Sequence, residues 1–496
     1  MKMKIVLIMT PMMDYDVDGQ LNPVEMYALR ANPYYGSYLL AAVLQSKGYQ
    51  VVLVDLVAQG SLDITPYIPD IEDCSLIGIG GTSFSWPSVL NIVKTIRHIR
   101  EDVPIVLGGI HPTLFDRYIL KKFPVQYIIR GEGEAALPSL CRHLKNPGEL
   151  NQVPNLSWVN NAGEIICNPV GPGIPGEELG DSPLPDYERL PFNTYHYLPI
   201  ESSRGCLHNC SFCSAPYRRS WRCIPAERFV DRLGEVMKYL PRTLSKKIQI
   251  LDDEFSINPK RAMEIARIIK ERGLKPSIMY CSRVKDVLVD GFLEELSDIT
   301  SDIFLGAEFG YDDGLKKARK GITCRFIESA AVKLNGYNLS EKAAFSFIIG
   351  LPWETKAEVE KTIRFAFHLV DNFGITVVIN WYIKVPGSQV WHKARKDQIF
   401  NESMYDSYNF SHNPYFFLSG LKLKPKEVWE IDDIIRQYKL AKRQSYPNRE
   451  KVLYNTPAAL IRHFAKDLLY EEGHELANLH ELSSTVAKRG FLLTKA

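Results

Sequence analysis

Short apolar runs alternate with amphipathic stretches over the first 145 residues of the chain. The runs have the length and composition of buried strands, and the stretches between them, such as 37–47 and 87–100, repeat apolar residues at helical spacing. This alternation predicts a parallel, doubly wound, Rossmann-like α/β domain for residues 1–148. Its strands are predicted at residues 4–9, 50–54, 76–80, 105–107 and 127–129.

The pattern changes over residues 149–194. A hairpin is predicted at 155–166, with Asn160-Asn161-Ala162-Gly163 as its turn, and a stretch rich in Pro and Gly follows from 169 to 191. We interpret residues 149–194 as a hairpin and linker between two domains.

Strand–helix alternation resumes over residues 195–388. Helical patterns at 226–240, 259–272 and 356–370 separate the apolar runs. Six such units favour a partial (β/α)6 barrel, although the alternation by itself also fits an open sheet. The six strands are predicted at 197–201, 247–251, 277–280, 303–307, 344–349 and 376–383.

Residues 389–496 are mostly helical in pattern and highly charged, with an amphipathic helix predicted at 425–444. An aromatic stretch precedes that helix. These aromatic side chains fit either an apolar substrate pocket or core packing, and core packing is the more common use of such residues. They are Tyr405, Tyr408, Phe410, Tyr415, Phe416 and Phe417.

Net charge, hydrophobic runs and cysteine count limit the functional classes to which the protein can belong. The formal net charge of +2 gives no strong field for nucleic acid or an anionic membrane. The apolar run near the N-terminus is too short to span a bilayer and lacks a signal-peptide cleavage site, so we expect a cytoplasmic protein with no transmembrane segment. The chain has nine Cys, an odd number, and three of them are close together, which favours metal binding or catalysis over disulfides.

The three clustered cysteines are Cys206, Cys210 and Cys213, in the spacing C-x3-C-x2-C directly after a predicted strand. Three thiolates in one tight loop can hold an iron–sulfur cluster, which usually takes four Cys ligands. The next cysteine, Cys223, lies ten residues further on. Three ligands would therefore leave one iron of such a cluster open to a substrate.

Two other interpretations of this loop stay open. His208 lies inside it and allows a Cys3His zinc site, although structural zinc sites usually divide their ligands between two segments. A zinc-bound protein without catalytic activity is the corresponding functional hypothesis. Disulfide bonding is disfavoured by the odd count and by the expected compartment.

The cysteine loop and the segments after it resemble the radical S-adenosylmethionine (SAM) enzymes. In that family the loop carries a 4Fe–4S cluster that binds SAM, and Phe212 stands where an aromatic residue packs on the adenine. The resemblance implies that Asp253 and Glu254 accept from the SAM ammonium, and that Arg283 pairs with its carboxylate. The residues implied to bind SAM are Phe212, Asp253, Glu254, Ser282, Arg283, Glu308 and Gly350.

The N-terminal domain resembles the cobalamin-binding domain that precedes the barrel in many radical SAM enzymes. Its glycine-containing segments follow predicted strands, where glycine lets the backbone approach a large ligand. A Rossmann-like sheet without cofactor is the alternative. The residues implied to bind cobalamin are Ser37, Tyr38, Gly80, Thr82, Ser83, Gly108, Gly109, His111, Gly131, Glu132 and Gly133.

One departure concerns the cobalt ligand. Cobalamin domains of mutases carry Asp-x-His-x-x-Gly, but no His of this chain has an Asp two residues before it. The resemblance therefore implies cobalamin without a lower His ligand.

The resemblance implies that the enzyme cleaves SAM reductively to a 5′-deoxyadenosyl radical. The expected reaction is methylation of an unactivated carbon of a small-molecule or lipid precursor through methylcobalamin; the alternative is a rearrangement, cyclisation or oxidation without methyl transfer. We expect a flavodoxin- or ferredoxin-type electron donor and a monomer. A methylthiotransferase is excluded, because its second cluster needs three N-terminal cysteines and residues 1–150 contain only Cys74 and Cys141.

Overall fold

The computed structural model describes residues 3–15, 21–23, 32–144, 147–408, 417–445 and 450–455. In the N-terminal half, helices flank a sheet of seven strands. The strands of this half are β1 (Lys4–Met9), β2 (Met13–Tyr15), β3 (Leu21–Pro23), β4 (Gln50–Asp55), β5 (Leu76–Gly80), β6 (Ile105–Gly108), β7 (Tyr127–Ile129), β8 (Leu156–Val159) and β9 (Ile165–Cys167). Of these, β2 and β3 form a separate two-stranded antiparallel sheet. The helices are α1 (Tyr35–Ser46), α2 (Leu56–Gln59), α3 (Ile68–Asp73), α4 (Trp86–Ile99), α5 (Ile110–Leu114), α6 (Asp116–Lys122), α7 (Ala136–His143) and α8 (Gly176–Asp181).

The sheet order is β4-β1-β5-β6-β7-β8-β9, and the first five strands in this order are parallel. Apolar clusters cover both faces, which explains why these strands are nearly continuous apolar runs. The predicted doubly wound sheet is therefore confirmed. The hairpin β8–β9, which we placed with the linker, pairs antiparallel with β7 and extends this sheet.

The second half is a parallel sheet with the order β10-β13-β14-β15-β16-β17-β18. No pairing joins its two edge strands in the described part of the chain, so it is a partial barrel. Six strands were predicted, and β18 from the C-terminal region adds a seventh. The strands of this half are β10 (Tyr197–Ile200), β11 (Ser203–Arg204), β12 (Arg222–Cys223), β13 (Lys247–Ile250), β14 (Ile278–Arg283), β15 (Thr300–Glu308), β16 (Ala343–Ile349), β17 (Thr376–Trp381) and β18 (Val452–Asn455). Of these, β11 and β12 form a separate two-stranded antiparallel sheet.

The helices of this half cover the outside of the sheet. The longest of them before the C-terminal region begins at a capping box formed by Thr355 and Glu358 and ends at Gly374 in the left-handed conformation. The helices are α9 (Ala226–Met237), α10 (Pro259–Glu271), α11 (Val284–Val287), α12 (Phe292–Leu296), α13 (Asp312–Lys317), α14 (Cys324–Gly336), α15 (Lys356–Phe373), α16 (Gln389–Lys396) and α17 (Pro425–Ser445).

The segment after the barrel packs on the N-terminal domain. Tyr405 lies fully buried in the apolar cluster that contains Trp86 of α4. Asp406 accepts hydrogen bonds from Trp86 Nε1 (2.9 Å) and the Tyr118 hydroxyl (2.5 Å). Tyr405 is thus a core residue, as is the buried Phe417, whereas Tyr408 is half-buried. Phe410, Tyr415 and Phe416 lie outside the described residues.

None of the described helices has the length and apolar character needed to cross a membrane.

Candidate active site

The cysteine loop, residues 206–213, follows β10 and β11 and is held by backbone contacts. The Cys206 amide donates to the Tyr217 carbonyl (3.3 Å), and the Arg219 amide donates to the Cys206 carbonyl (2.7 Å). Gly205 has φ +88°, and a Cβ at this position would overlap the Ser220 carbonyl oxygen, so the loop requires glycine here. The backbone thus presents the three thiols from one short loop.

The donor set fits a multi-iron cluster. Cys206, Cys210 and Cys213 are free and half-buried. Among the described residues, no three His, Cys, Asp or Glu side chains are close enough together to bind one metal ion. A cluster distributes its ligands over several irons. Burial raises the pKa of the Cys206 thiol to about 11, so its thiolate needs the positive charge of bound iron.

Glu254 lies beside this loop, just past the end of β13. Its buried Oε2 is 4.0 Å from Cys206 Sγ and 3.3 Å from His208 Nε2. Its Oε1 is buried and has no hydrogen-bond partner in the described part of the chain. A buried acceptor without a donor is costly, so this oxygen fits the ammonium that the resemblance assigns to it. Burial and the adjacent Glu254 raise the pKa of Asp286 to about 8, and a protonated Asp286 can donate a hydrogen bond to Glu254.

The two aspartates before Glu254 differ in role. Asp252 is buried and accepts from the backbone amides of Ser202 (2.7 Å) and Ser203 (3.0 Å), so it joins the ends of β10 and β13. Asp253 is exposed beside the loop. Of the three carboxylates in this segment, only those of Asp253 and Glu254 are therefore available to a ligand.

The ends of β14 and β15 contribute the next polar side chains. Ser282 Oγ lies 2.6 Å from Ser256 Oγ. Arg283 donates to the Lys320 carbonyl, and its Nε is buried without a hydrogen-bond partner in the described residues. Lys320 Nζ in turn lies 3.1 Å from Glu308 Oε1, and both side chains are buried. Glu308 has φ +70°, an uncommon conformation for a residue with a side chain, at an irregularity in the β15–β16 pairing.

Gly350 and Phe212 complete the predicted SAM site. Gly350 follows β16 with φ +77°, and a Cβ there would lie 2.7 Å from the Trp381 ring. Phe212 is half-buried against the barrel core. The predicted SAM residues thus lie in the cysteine loop or at and beyond the carboxyl ends of β13 to β16, where a parallel sheet binds its ligands.

A cavity of about 450 Å³ lies at the carboxyl ends of β5, β6 and β7. Glycines make up much of its wall: Gly108 has no neighbour closer than 4.0 Å to an added Cβ, whereas Gly109, at φ +92°, approaches the Gly81 carbonyl. Tyr35 also lines it, and its hydroxyl is buried without a partner among the described residues. This wall fits a large flat ligand such as a corrin. Of the predicted residues, it includes Ser37, Gly80, Thr82, Gly108, Gly109, Gly131, Glu132 and Gly133.

Sequence profiles of two families match these same two regions. The profile described as Radical SAM superfamily matches residues 200–366, and the profile described as B12 binding domain matches residues 33–141. The chain is a cobalamin-binding radical SAM enzyme. Its cofactors are accordingly a 4Fe–4S cluster, SAM and cobalamin.

Several known proteins resemble the chain over most of its length. It is 29% identical to the uncharacterized methyltransferase PH0819 of Pyrococcus horikoshii, covering 79% of this chain and 83% of that protein. It is 27% identical to an anaerobic magnesium-protoporphyrin IX monomethyl ester cyclase of Rubrivivax gelatinosus, covering 75% and 67%. It is 29% identical to the hopanoid C-3 methylase of Methylococcus capsulatus, covering 73% and 69%.

A solved structure supports the fold. The cobalamin-dependent SAM radical enzyme OxsB with aqua-cobalamin bound superposes with a TM-score of 0.61 at 17% identity, covering 98% of this chain and 71% of that one. At this identity the likeness shows the fold alone.

Three residues predicted to bind cobalamin do not line the cavity. The Tyr38 hydroxyl is buried and donates to Asp55 Oδ2 (2.8 Å). Ser83 Oγ lies 3.0 Å from His111 Nδ1, and the His111 ring stacks on Trp86 with 4.6 Å between centroids. Burial lowers the pKa of His111 to about 3. All three side chains belong to the core of the enzyme. Their neighbours in sequence line the cavity instead.

The cavity also has residues that the sequence did not indicate as ligands. Glu201, Arg204 and Tyr217 enter it from the barrel half, next to Glu134 from the N-terminal half. Both halves of this radical SAM enzyme therefore form one cavity wall. Arg204 directly precedes Gly205-Cys206, and this position beside the cysteine loop was a signal in the sequence that could have indicated it as a cavity residue. No comparable signal indicated Tyr217.

Proposed function

We propose that this enzyme transfers a methyl group from SAM to an unactivated carbon of a small-molecule or lipid precursor. The observation that carries the proposal is the shared cavity, whose glycine wall comes from the B12-binding domain and whose opposite residues, Glu201, Arg204 and Tyr217, lie within a few residues of the cysteine loop in sequence. When bound, the cluster supplies the electron that cleaves SAM, and cobalamin supplies the methyl carrier. The resemblance to two methyltransferases supports this outcome.

In that scheme the side chains of this protein bind and orient SAM and the corrin. Glu254 accepts from the SAM ammonium through its Oε1, which has no partner among the described residues, and a protonated Asp286 donates to Glu254 from the other side. Arg283 is turned toward the Lys320 backbone and pairs with the SAM carboxylate. The buried Glu308 accepts from ribose hydroxyls while Lys320 balances its charge. The eight predicted residues of the glycine-lined wall contact the corrin.

The test uses SAM with a trideuterated methyl group. We would incubate the fully loaded enzyme with a chemical reductant and with aqueous and lipid extracts, and then analyse both the extracts and the SAM products by mass spectrometry. Methyl transfer predicts a product that carries the trideuteromethyl group, together with S-adenosylhomocysteine and 5′-deoxyadenosine. A deuterium-free product with 5′-deoxyadenosine alone would contradict methyl transfer.

That second outcome defines the rival function, a cyclisation or other rearrangement that consumes SAM only as a radical source. The resemblance to the magnesium-protoporphyrin ester cyclase favours it, at an identity close to that of the methyltransferases. Both functions use the same cofactors, so the fate of the labelled methyl group separates them.

We also propose a flavodoxin- or ferredoxin-type protein as the electron donor, a monomeric state and a cytoplasmic location. Small redox proteins bind their partners through small, transient interfaces. Replacement of the chemical reductant by a reduced flavodoxin should sustain 5′-deoxyadenosine formation, and light scattering should give the mass of one chain. A dimer mass, or no turnover with either donor protein, would contradict these parts of the proposal.

A further inference from the structure

A buried group of four charged side chains joins the two halves of the molecule. Arg204 Nη2 lies 2.6 Å from Glu134 Oε1 and 2.7 Å from Glu201 Oε1, and its Nη1 lies 3.3 Å from Glu132 Oε1. Glu132 and Glu134 follow the last parallel strand of the N-terminal sheet, whereas Glu201 follows β10 of the barrel. Each of the four side chains exposes at most 12% of its surface. We call them the interdomain ion-pair group.

This group adjoins both cofactor sites. All four side chains line the cobalamin cavity. Arg204 is also two residues before Cys206, the first ligand of the cysteine loop. Gly205 between them is fixed against Ser220 and Tyr217, so little backbone freedom separates the guanidinium from the loop.

The surrounding loops are tightly packed as well. Gly131, directly before Glu132, has φ +75°, and an added Cβ would lie 3.2 Å from the Tyr217 hydroxyl. The Arg222 guanidinium lies 5.1 Å from the Tyr217 ring and 2.7 Å from Glu132 Oε1. A shift of the Glu132–Glu134 segment would therefore be transmitted to Arg204 through short, partly desolvated ion pairs, which are much stiffer than exposed ones.

We propose that Arg204 is a positioning residue that couples the cobalamin cavity to the cysteine loop, so that filling one cofactor site strengthens binding at the other. A corrin that contacts Glu132 or Glu134 fixes those carboxylates, and they fix the guanidinium and the backbone of the loop. The loop then needs less ordering when SAM binds to the open iron. Linkage requires the effect to be equal in both directions: SAM strengthens cobalamin binding by the factor by which cobalamin strengthens SAM binding.

The test measures this factor by binding alone. The chain, reconstituted with its 4Fe–4S cluster without oxygen or reductant, is titrated with hydroxocobalamin in the absence and presence of saturating SAM, and the absorbance change gives Kd. We expect SAM to lower the cobalamin Kd at least about fivefold in the wild-type chain. In Arg204→Gln the factor should fall to one. In Arg204→Lys it should be reduced, because an ammonium lacks the planar fork that reaches three carboxylates.

Arg228→Gln is the matched control. It makes the same Arg-to-Gln change at an exposed guanidinium that pairs with Asp181 and lies outside the residues that line the cobalamin cavity, so the coupling factor should stay near the wild-type value. Iron content and circular dichroism of each variant establish that the cluster and fold are retained; if Arg204→Gln fails this check, Arg204→Lys decides. A wild-type factor of one, an undiminished factor in both Arg204 variants, or an equal loss in Arg228→Gln would overturn the proposal. No turnover is involved, so the result does not depend on whether methyl transfer is the reaction.

Discussion

The carboxylate of Glu308 and the ammonium of Lys320 form a buried ion pair, 3.1 Å apart, with 9% and 8% of their side chains exposed. Gly306 makes this pair possible, because a Cβ at that position would overlap Glu308 Oε1 and crowd Lys320 Nζ. Glu308 itself stands in the left-handed region, where a side chain is strained. Such strain is typical of functional sites. Here the left-handed backbone conformation directs the Glu308 carboxylate from the end of β15 to the predicted SAM site.

Removal of one charge of this pair should be costly. Glu308→Gln leaves the Lys320 ammonium buried without its counter-ion, and we expect the free energy of unfolding to fall by about 3 kcal/mol. Urea denaturation followed by circular dichroism measures the change. Glu308→Gln combined with Lys320→Met removes both charges and should recover most of this loss. A double variant as unstable as the single one would show that the ion pair is not the cause.

Replacement of a cluster ligand should remove the iron. Serine at Cys206, Cys210 or Cys213 is a poor ligand for iron, so each variant should lose most of its roughly four irons per chain after anaerobic reconstitution. Cys223→Ser is the control, since Cys223 is also free and half-buried but lies outside the cysteine loop. It should keep the wild-type iron content. Iron analysis and the visible absorbance of the cluster measure the iron content of these variants and of the control.

A side chain at Gly108 should compete with cobalamin. Gly108 faces open space in the cavity, so Gly108→Leu should fill part of it without a clash in the protein. We expect the Kd for hydroxocobalamin to rise at least about tenfold, equivalent to about 1.4 kcal/mol. Gly234→Leu on α9, where an added Cβ also meets nothing within 4 Å, should leave Kd unchanged. Equal affinity of the two variants for hydroxocobalamin would show that the cavity is not the corrin site.

The buried His111 should make stability depend on pH in the acidic range. Burial lowers its folded pKa to about 3, below the ordinary value of 6.5. Above pH 6.5 neither state binds the proton; below it the unfolded chain does and the folded one does not. Stability should therefore fall between pH 6.5 and 3 by about 1.4 kcal/mol per pH unit from this residue.

His111→Gln should remove that contribution. Between pH 6.5 and 5.0 the variant should lose about 2 kcal/mol less stability than the wild-type chain. His98→Gln, at an exposed position on α4, should retain the wild-type dependence. Thermal unfolding at a series of pH values gives the comparison, and parallel pH profiles for wild type and His111→Gln would refute the assignment.

The strands and the cysteine loop could be predicted from the sequence because their signals are local. A buried parallel strand is a continuous apolar run, and three cysteines in one loop need no long-range contact to be close together. The same holds for Gly80, Gly108 and Gly131, which come at strand ends and line the cavity. Local signals of this kind placed most of the fold.

Side-chain direction could not be predicted in the same way. Ser83 follows the cavity residue Thr82, yet it turns into the core toward His111, and Tyr38 turns toward Asp55. The ion pairs of Arg204 with Glu132 and Glu134 join residues about 70 positions apart in the chain, so no local pattern indicated them. The seventh barrel strand, β18, is a short segment far from β17 in sequence, and its pairing depends on the folded barrel.

Cofactor content tests the central claim, that one chain holds both a cluster and a corrinoid, most directly. The protein would be expressed with added hydroxocobalamin, purified without oxygen, and analysed for iron and cobalt together with its absorbance spectrum. The account predicts about four irons and close to one cobalt per chain. Iron without cobalt would contradict it, leaving a radical SAM barrel beside a domain that binds something else.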